Sequence, residues 1–273
     1  MTNRKTQFQN LLESLKTKDG PKEFKYIGTG NPLADILIVG KECGFDIKEP
    51  EQNGNDPEKY VRELEDYKKR LEQFEKEINK NYEYWCGLKN FDTAHIPERK
   101  YEDYHALYPY RGQLLLKDDK KNNGTSVTWM NYQKMINYIL GDKDNKKINF
   151  HEHAFITEVN STPSKETKNA IKSSICFRKN HVLNSEFFRS FPIVIISGVG
   201  YFKVTTKKNE VENIFEVKFE EKKFTPKIKQ PYWIHWNADK TKLVINTYQL
   251  SIGVGDELLR EVAKEISESG LVV

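Results

Sequence analysis

A short apolar run that ends at a glycine constrains this chain more than any other feature. Residues 34–39 read Ala-Asp-Ile-Leu-Ile-Val, and Gly40 follows directly. A run this short, apolar and β-branched is typical of a strand buried on both faces in a parallel sheet. Ligand crevices in open α/β sheets lie at the carboxyl ends of the strands, so Lys41, Glu42 and Cys43 are candidate functional residues. A plain glycine turn with solvated charges is the alternative interpretation.

Three further apolar runs repeat this pattern along the chain, at 154–160, 192–200 and 243–247. Amphipathic helices are predicted between and after them, including 125–140 and 256–266. Strands that alternate with helices around loops on one edge predict an α/β fold. The expected architecture is a three-layer α/β/α sandwich around a central, mainly parallel four-stranded sheet.

The length of 273 residues, with 37% hydrophobic residues, fits one large core. We therefore expect a single α/β domain over 1–273 that carries two insertions. The first, about 56–123, joins a long helical pattern to an aromatic stretch. The second, about 201–229, has a lysine-rich alternation that predicts an antiparallel ribbon at the sheet edge.

The long helix in the first insertion has clear start signals. Asp56 is a good N-cap and Pro57 suits the first helical position. Positions 58–80 hold seven basic and seven acidic residues, so the helix is not predicted to bind nucleic acid as a charged arm. Packing against the body of the protein is the favoured use. A homodimer contact through its apolar seam is the alternative.

Composition limits the partners, the cysteine oxidation state and the cellular location that can be expected. The net charge of +4 is compatible with a polyanionic partner without requiring one. The three cysteines are scattered and form no Cys-x-x-Cys pair, which indicates reduced thiols rather than disulfides or structural zinc. The polar N-terminal pattern and the lack of long apolar runs predict a cytoplasmic protein with no membrane segment.

Basic residues concentrate after the second strand. Residues 161–189 contain six lysines and arginines against two glutamates. Lys165 and Lys168 follow the strand's carboxyl end most closely and are candidates for contact with DNA phosphates. An ordinary solvated helix face explains the same charges equally well.

Four segments, taken in order, resemble motifs of the uracil-DNA glycosylase superfamily. That family has a Pro-Ala-Asp-Ile-Leu-type strand with a Gly-Glu-Ala-Pro-Gly-like loop, an Ile-Thr-Asn-Val-type strand, a third strand ending in glycine and a His-Pro-Ser-like last loop. The matching segments here are 33–44, 156–160, 195–198 and 248–251. The resemblance implies an enzyme that flips a base out of the DNA stack and hydrolyses its N-glycosidic bond.

The resemblance also assigns roles to individual positions. Glu42 would position the attacking water, or Lys41 if the alignment shifts by one residue. Phe45 would stack on the base and Asn160 would read its edge. Gln249 stands where the family has its leaving-group histidine. The other assigned positions are Glu158 and Tyr248 beside the base and Ser251 at a DNA phosphate.

This sequence departs from the family pattern at three places. Lys41 replaces the motif carboxylate after the first glycine, with Glu42 one position later, and Glu158 stands at the position of the base-reading asparagine. The His-Pro of the last loop is missing. Losing a donor aimed at developing charge costs about 10²–10³ in rate, so other residues must substitute or the protein does not remove uracil. Three scattered cysteines cannot ligate the iron–sulfur cluster of one branch, and no cofactor is expected.

Other functions are weaker alternatives. The same fold could bind DNA or a nucleobase without turnover. A metal hydrolase would rest on His151 and His153, on one side of a predicted strand, but no third ligand is indicated, and no metal is expected. A thiol nucleophile at Cys43 has no indicated base partner.

Overall fold

The computed structural model describes residues 4–42, 50, 56–88, 126–162, 170–205, 209–251 and 253–271. These residues form one mixed sheet with helices on both faces. Its strands are β1 (Thr29–Gly30), β2 (Ile36–Gly40), β3 (Ala154–Glu158), β4 (Ile193–Ile196), β5 (Lys218–Phe224), β6 (Pro231–Trp236) and β7 (Leu243–Asn246). The spatial order is β1, β3, β2, β4, β7, β6, β5.

The sheet is larger than the four-stranded one that the sequence predicted. Four neighbouring strands, β3, β2, β4 and β7, run parallel, and they are the four apolar runs. Antiparallel strands extend this block at both ends, β1 on one side and β6 and β5 on the other. The α/β class is therefore confirmed, and the sheet is mixed, with seven strands in the described residues rather than four.

β1 was missed because it is two residues long and its Thr-Gly sequence indicates a turn as readily as a strand. β5 lies within 201–229, where the alternation predicted an antiparallel ribbon at the sheet edge. It is the edge strand, pairs antiparallel with β6 and is exposed along almost its whole length. A short helix precedes it in this segment.

The helices lie on both sides of the sheet. Their bounds are α1 (Arg4–Lys16), α2 (Pro57–Gly87), α3 (Val127–Leu140), α4 (Phe150–His153), α5 (Lys172–Phe177), α6 (Glu186–Arg189), α7 (Glu210–Phe215) and α8 (Asp256–Glu268), with a short 3-10 turn at Lys22–Lys25 and a π-helical turn at Arg178–Leu183. A hydrophobic core lies on each face of the sheet, and alternate residues of β2 point into one core or the other. Leu37 and Val39 pack with α1, α6 and α7, whereas Ile36 and Ile38 pack with α3 and α8.

The C-terminal end of α2 is fastened to the sheet by buried hydrogen bonds. The Asn81 side chain accepts from the backbone N–H groups of Ile27 and Gly28 and donates to the Gly28 carbonyl oxygen at 2.8 Å. The indole Nε1 of Trp85 donates to the same oxygen at 2.9 Å. As expected, Asp56 caps the start of the helix, accepting from the Lys59 N–H. The homodimer contact through its seam stays a prediction.

Gly28 is required at the point where these bonds meet. Its φ is +139°, and a Cβ atom there would lie 2.2 Å from the Ile156 carbonyl oxygen. We expect Gly28→Ala to lower the free energy of unfolding by about 2 kcal/mol or more, because a backbone clash is added to an unfavourable φ. Gly87→Ala is the control, because nothing lies within 4 Å of a Cβ there. Urea unfolding of both variants tests this, and equal midpoints would contradict it.

None of the helices that the structure describes is long and apolar enough to cross a membrane.

Candidate functional site

The carboxyl ends of the four parallel strands meet at one edge of the sheet. Backbone hydrogen bonds continue past the ends of the strands: Val159 N donates to Gly40 O at 2.9 Å, and Asn160 N donates to Lys41 O at 2.7 Å. The same holds on the other side, where Ser197 N donates to Val39 O at 2.8 Å. The first residues of these loops are therefore fixed by the sheet.

Two buried glutamates lie together at this edge, and we call them the carboxylate pair. Glu42 is two residues past β2, and Glu158 is the last residue of β3; each is only 8% exposed. Gly40 makes room for the second carboxylate, because a Cβ atom on Gly40 would lie 2.1 Å from Glu158 Oε2. The Tyr201 hydroxyl donates a hydrogen bond to Glu42 Oε2.

Burial controls the protonation of the carboxylate pair. Burial and, to a smaller extent, the charge of Glu42 raise the pKa of Glu158 to about 8, against the opposing charge of Arg178. Burial also raises the pKa of Glu42, against the Tyr201 hydrogen bond and the Lys41 charge. Two carboxylates that interact electrostatically do not both ionise readily. Near neutral pH, Glu158 therefore keeps its proton.

Arg178 binds the backbone of Glu158, one member of the carboxylate pair. Its guanidinium is fully buried; Nε donates to the Glu158 carbonyl oxygen and Nη2 to Thr157 Oγ1, both at 2.8 Å. Lys179 is also buried and pairs with Glu210. Two of the six basic residues in 161–189 thus point into the protein. They cannot belong to the solvated, phosphate-contacting surface that the sequence suggested.

A tyrosine that sequence reasoning missed completes this cluster. Besides its hydrogen bond to Glu42, the Tyr201 ring lies 5.6 Å from Lys41 Nζ, measured to the ring centroid. Its backbone carbonyl accepts a hydrogen bond from Lys179. Tyr201 follows Gly198 and Gly200 in the loop after β4, and that position was the signal available in the sequence.

Asn160 lies beside the pair and keeps one polar group unused. The side chain is fully buried, and its Oδ1 accepts from Thr162 N at 3.2 Å and Thr162 Oγ1 at 2.6 Å. Its Nδ2 has no hydrogen-bond partner among the residues the structure describes. This donor is the group that the proposed base-reading role requires.

The last loop follows β7 and is held by its neighbours. Leu250 N donates to Ser197 Oγ at 2.6 Å, and Asn131 Nδ2 donates to the Ser251 carbonyl at 3.4 Å. Tyr248 is 43% exposed, and Gln249 is half-buried. Because β4 lies between β2 and β7, this loop begins roughly 10 Å from the Glu42 loop in strand spacing.

Some predicted residues fall elsewhere. Cys43, Phe45, Lys165 and Lys168 lie outside the described residues. The metal-hydrolase alternative put His151 and His153 on one side of a strand. That placement was wrong, because both residues belong to the helical turn α4. Within the described ranges, no group of three or more His, Cys, Asp or Glu side chains is arranged to hold a metal ion.

The raised pKa of Glu158 predicts a pH-dependent stability. Between its ordinary pKa of 4.5 and its folded value of about 8, the folded protein holds a proton that the unfolded chain releases. Stability from this group is therefore present below 4.5 and falls as the pH rises through 8. Glu158→Gln removes the titration, so the variant should gain on the order of 3 kcal/mol relative to wild type between about pH 5 and pH 9. Chemical unfolding across that range measures this difference, and a constant difference would contradict the assignment.

Comparison with known proteins gave no assignment: no family model matches this sequence, and no curated protein matches it significantly.

Proposed function

We propose that this chain is a divergent uracil-DNA glycosylase-like hydrolase that breaks the N-glycosidic bond of a damaged or modified base in DNA. The observation that carries the proposal is the carboxylate pair at the carboxyl ends of parallel strands. Pairs of carboxylates with separated pKa values are suited to hydrolysing glycosidic bonds. In this proposal the block β3, β2, β4, β7 is the glycosylase-like core, and the protein acts in the cytoplasm.

The chemistry assigns Glu42 the central step. A water oxygen bonds to C1′ of the sugar, the C1′–N bond breaks, and Glu42 accepts the proton that the water releases. Its negative charge also offsets the positive charge that develops on the sugar. The base leaves with the bonding electrons as an anion and then takes up the proton that Glu42 received from the water, while Nδ2 of Asn160 would hold the base edge. Lys41 and Gln249 are the candidate hydrogen-bond donors to the leaving anion.

A second candidate function is a binding module with the same fold. The specific observation in its favour is the state of Glu42, whose carboxylate is mostly buried and already accepts the Tyr201 hydrogen bond. The last loop also carries Gln249 where the family has a histidine. Such a protein would bind DNA or a nucleobase without breaking an N-glycosidic bond.

One assay distinguishes the glycosylase from the binding module. Single- and double-stranded oligonucleotides carrying uracil, hypoxanthine, xanthine or a mismatch are incubated with the protein and then treated with alkali. The glycosylase proposal expects breaks at the modified base that depend on the alkali step. Absence of breaks together with salt-sensitive DNA binding supports the binding module. Absence of both breaks and binding overturns both functions.

A further inference from the structure

A large cavity opens on one side of the sheet, and neither member of the carboxylate pair lines it. Its volume is about 970 Å³, within the range of small-molecule sites. It lies between α7 and strands β5 and β6 and reaches the carboxyl ends of β4 and β7. The lining includes Val199, Asn209, Phe219, Trp233, His235 and Asn246.

Two buried side-chain atoms at this cavity, Asn246 Oδ1 and His235 Nδ1, have no hydrogen-bond partner among the described residues. Asn246 is the last residue of β7 and is only 7% exposed. Its Oδ1 has no hydrogen-bond partner among the described residues. A buried acceptor left unpaired costs free energy, which a ligand N–H group would recover. An amide also offers a donor and an acceptor side by side, the arrangement that reads a nucleobase edge.

Aromatic rings stand next to this amide. Trp233 is the cross-strand neighbour of Asn246 on β6, and Phe219 lies one strand further out on β5. The ring of Phe219 meets that of His235 edge to face at 5.6 Å. Burial lowers the pKa of His235, so its imidazole is uncharged at neutral pH. Flat rings beside a buried amide are suited to stacking a flat heteroaromatic ligand.

The charges at the cavity are already compensated. Glu212 accepts from Phe219 N at 2.9 Å and pairs with Lys218 at 3.4 Å. These contacts lower the pKa of Glu212 and keep it ionised within its own pair. Lys222 Nζ also lies 5.4 Å from the centroid of the Trp233 ring, so this cation contacts the ring on which a ligand would stack.

We propose that this cavity binds a nucleobase or nucleoside, stacked on Trp233 and read by the Asn246 amide. The site is distinct from the carboxylate pair, although Phe202 lines the cavity and its neighbour Tyr201 contacts Glu42. The inference goes beyond the proposed hydrolysis and does not depend on it. The cavity would bind the same ligand whether the protein is an enzyme or a binding module.

Tryptophan fluorescence titrations test the proposal with adenosine, guanosine, cytidine and uridine, and with a short single-stranded oligonucleotide. We expect saturable quenching by at least one of these probes in the wild type. Trp233→Phe should remove the quenching, whereas Trp236→Phe should retain it, because Trp236 packs on the other face of β6. Asn246→Ala should weaken binding about 10-fold, consistent with one lost hydrogen bond to a base.

Controls separate this site from folding defects and from hydrolysis. Asn184→Ala changes an exposed asparagine outside the cavity and should bind as the wild type does. Asn246→Asp keeps the shape of the side chain and should change which base binds best. Glu42→Gln should bind normally even if base release is lost. No saturable quenching by any probe, or quenching that survives in both Trp233→Phe and Asn246→Ala, would overturn the proposal.

Discussion

Glu42→Gln is expected to lower the rate of base release by at least about 100-fold. The amide keeps the size of the side chain and can still accept the Tyr201 hydrogen bond. It cannot take a proton from water or offset positive charge on the sugar. Because the substitution also removes the buried charge beside Glu158, the folded protein should be at least as stable as the wild type. The loss would therefore report on chemistry rather than on folding.

The matched control is Glu63→Gln, which changes an exposed carboxylate on α2. Its rate should equal that of the wild type. Single-turnover measurements under excess enzyme separate base release from DNA binding, which Glu42→Gln should leave unchanged. A Glu42→Gln rate within about threefold of the wild type would contradict a catalytic role for Glu42.

Arg178→Ala is expected to have the largest effect on stability, about 4 kcal/mol. The guanidinium donates to the carbonyl oxygens of Glu158, Phe24 and Tyr26 and to Thr157 Oγ1. All of these contacts are buried, so truncation leaves four acceptors without this donor and opens a cavity. The contacts also join the segment before β1 to the end of β3. The loss should therefore loosen the site as well as the fold.

Two further variants sharpen the Arg178 measurement. Lys172→Ala removes an exposed charge from α5 and should change the free energy of unfolding by less than about 0.5 kcal/mol. Arg178→Lys keeps the charge but has no planar fork of donors, so its loss should fall between the other two. Urea unfolding at neutral pH measures all three. An Arg178→Ala loss below about 1 kcal/mol would show that these contacts do not hold the site together.

The sequence identified the central strands because their apolar runs are short, and those of β2 and β4 are followed by glycine. It also placed Glu42 at the edge where parallel strands end. The electrostatic interaction between Glu42 and Glu158 could not be predicted from the sequence, because it depends on the register that sets Gly40 opposite Glu158. Spacing along the chain carries no information about which strands are neighbours in the sheet.

The hardest residues to predict were those whose burial and contacts in the folded protein differ from what the neighbouring sequence indicates. Arg178 resembles a solvated charge in a basic stretch, yet it is fully buried among backbone oxygens. Asn246 follows an apolar strand without any motif, and its cavity exists because β5 and β6 extend the sheet beyond β7. Both cases depend on contacts between distant segments, which local patterns do not record.

Mass spectrometry of the reaction products tests the central claim most directly. The substrate is an oligonucleotide with one modified base that gives alkali-dependent breaks. The account predicts a free base and an oligonucleotide with an intact backbone and one abasic sugar, with both products lost in Glu42→Gln. An intact substrate across the whole panel, or strands cut with the base still attached, would contradict it.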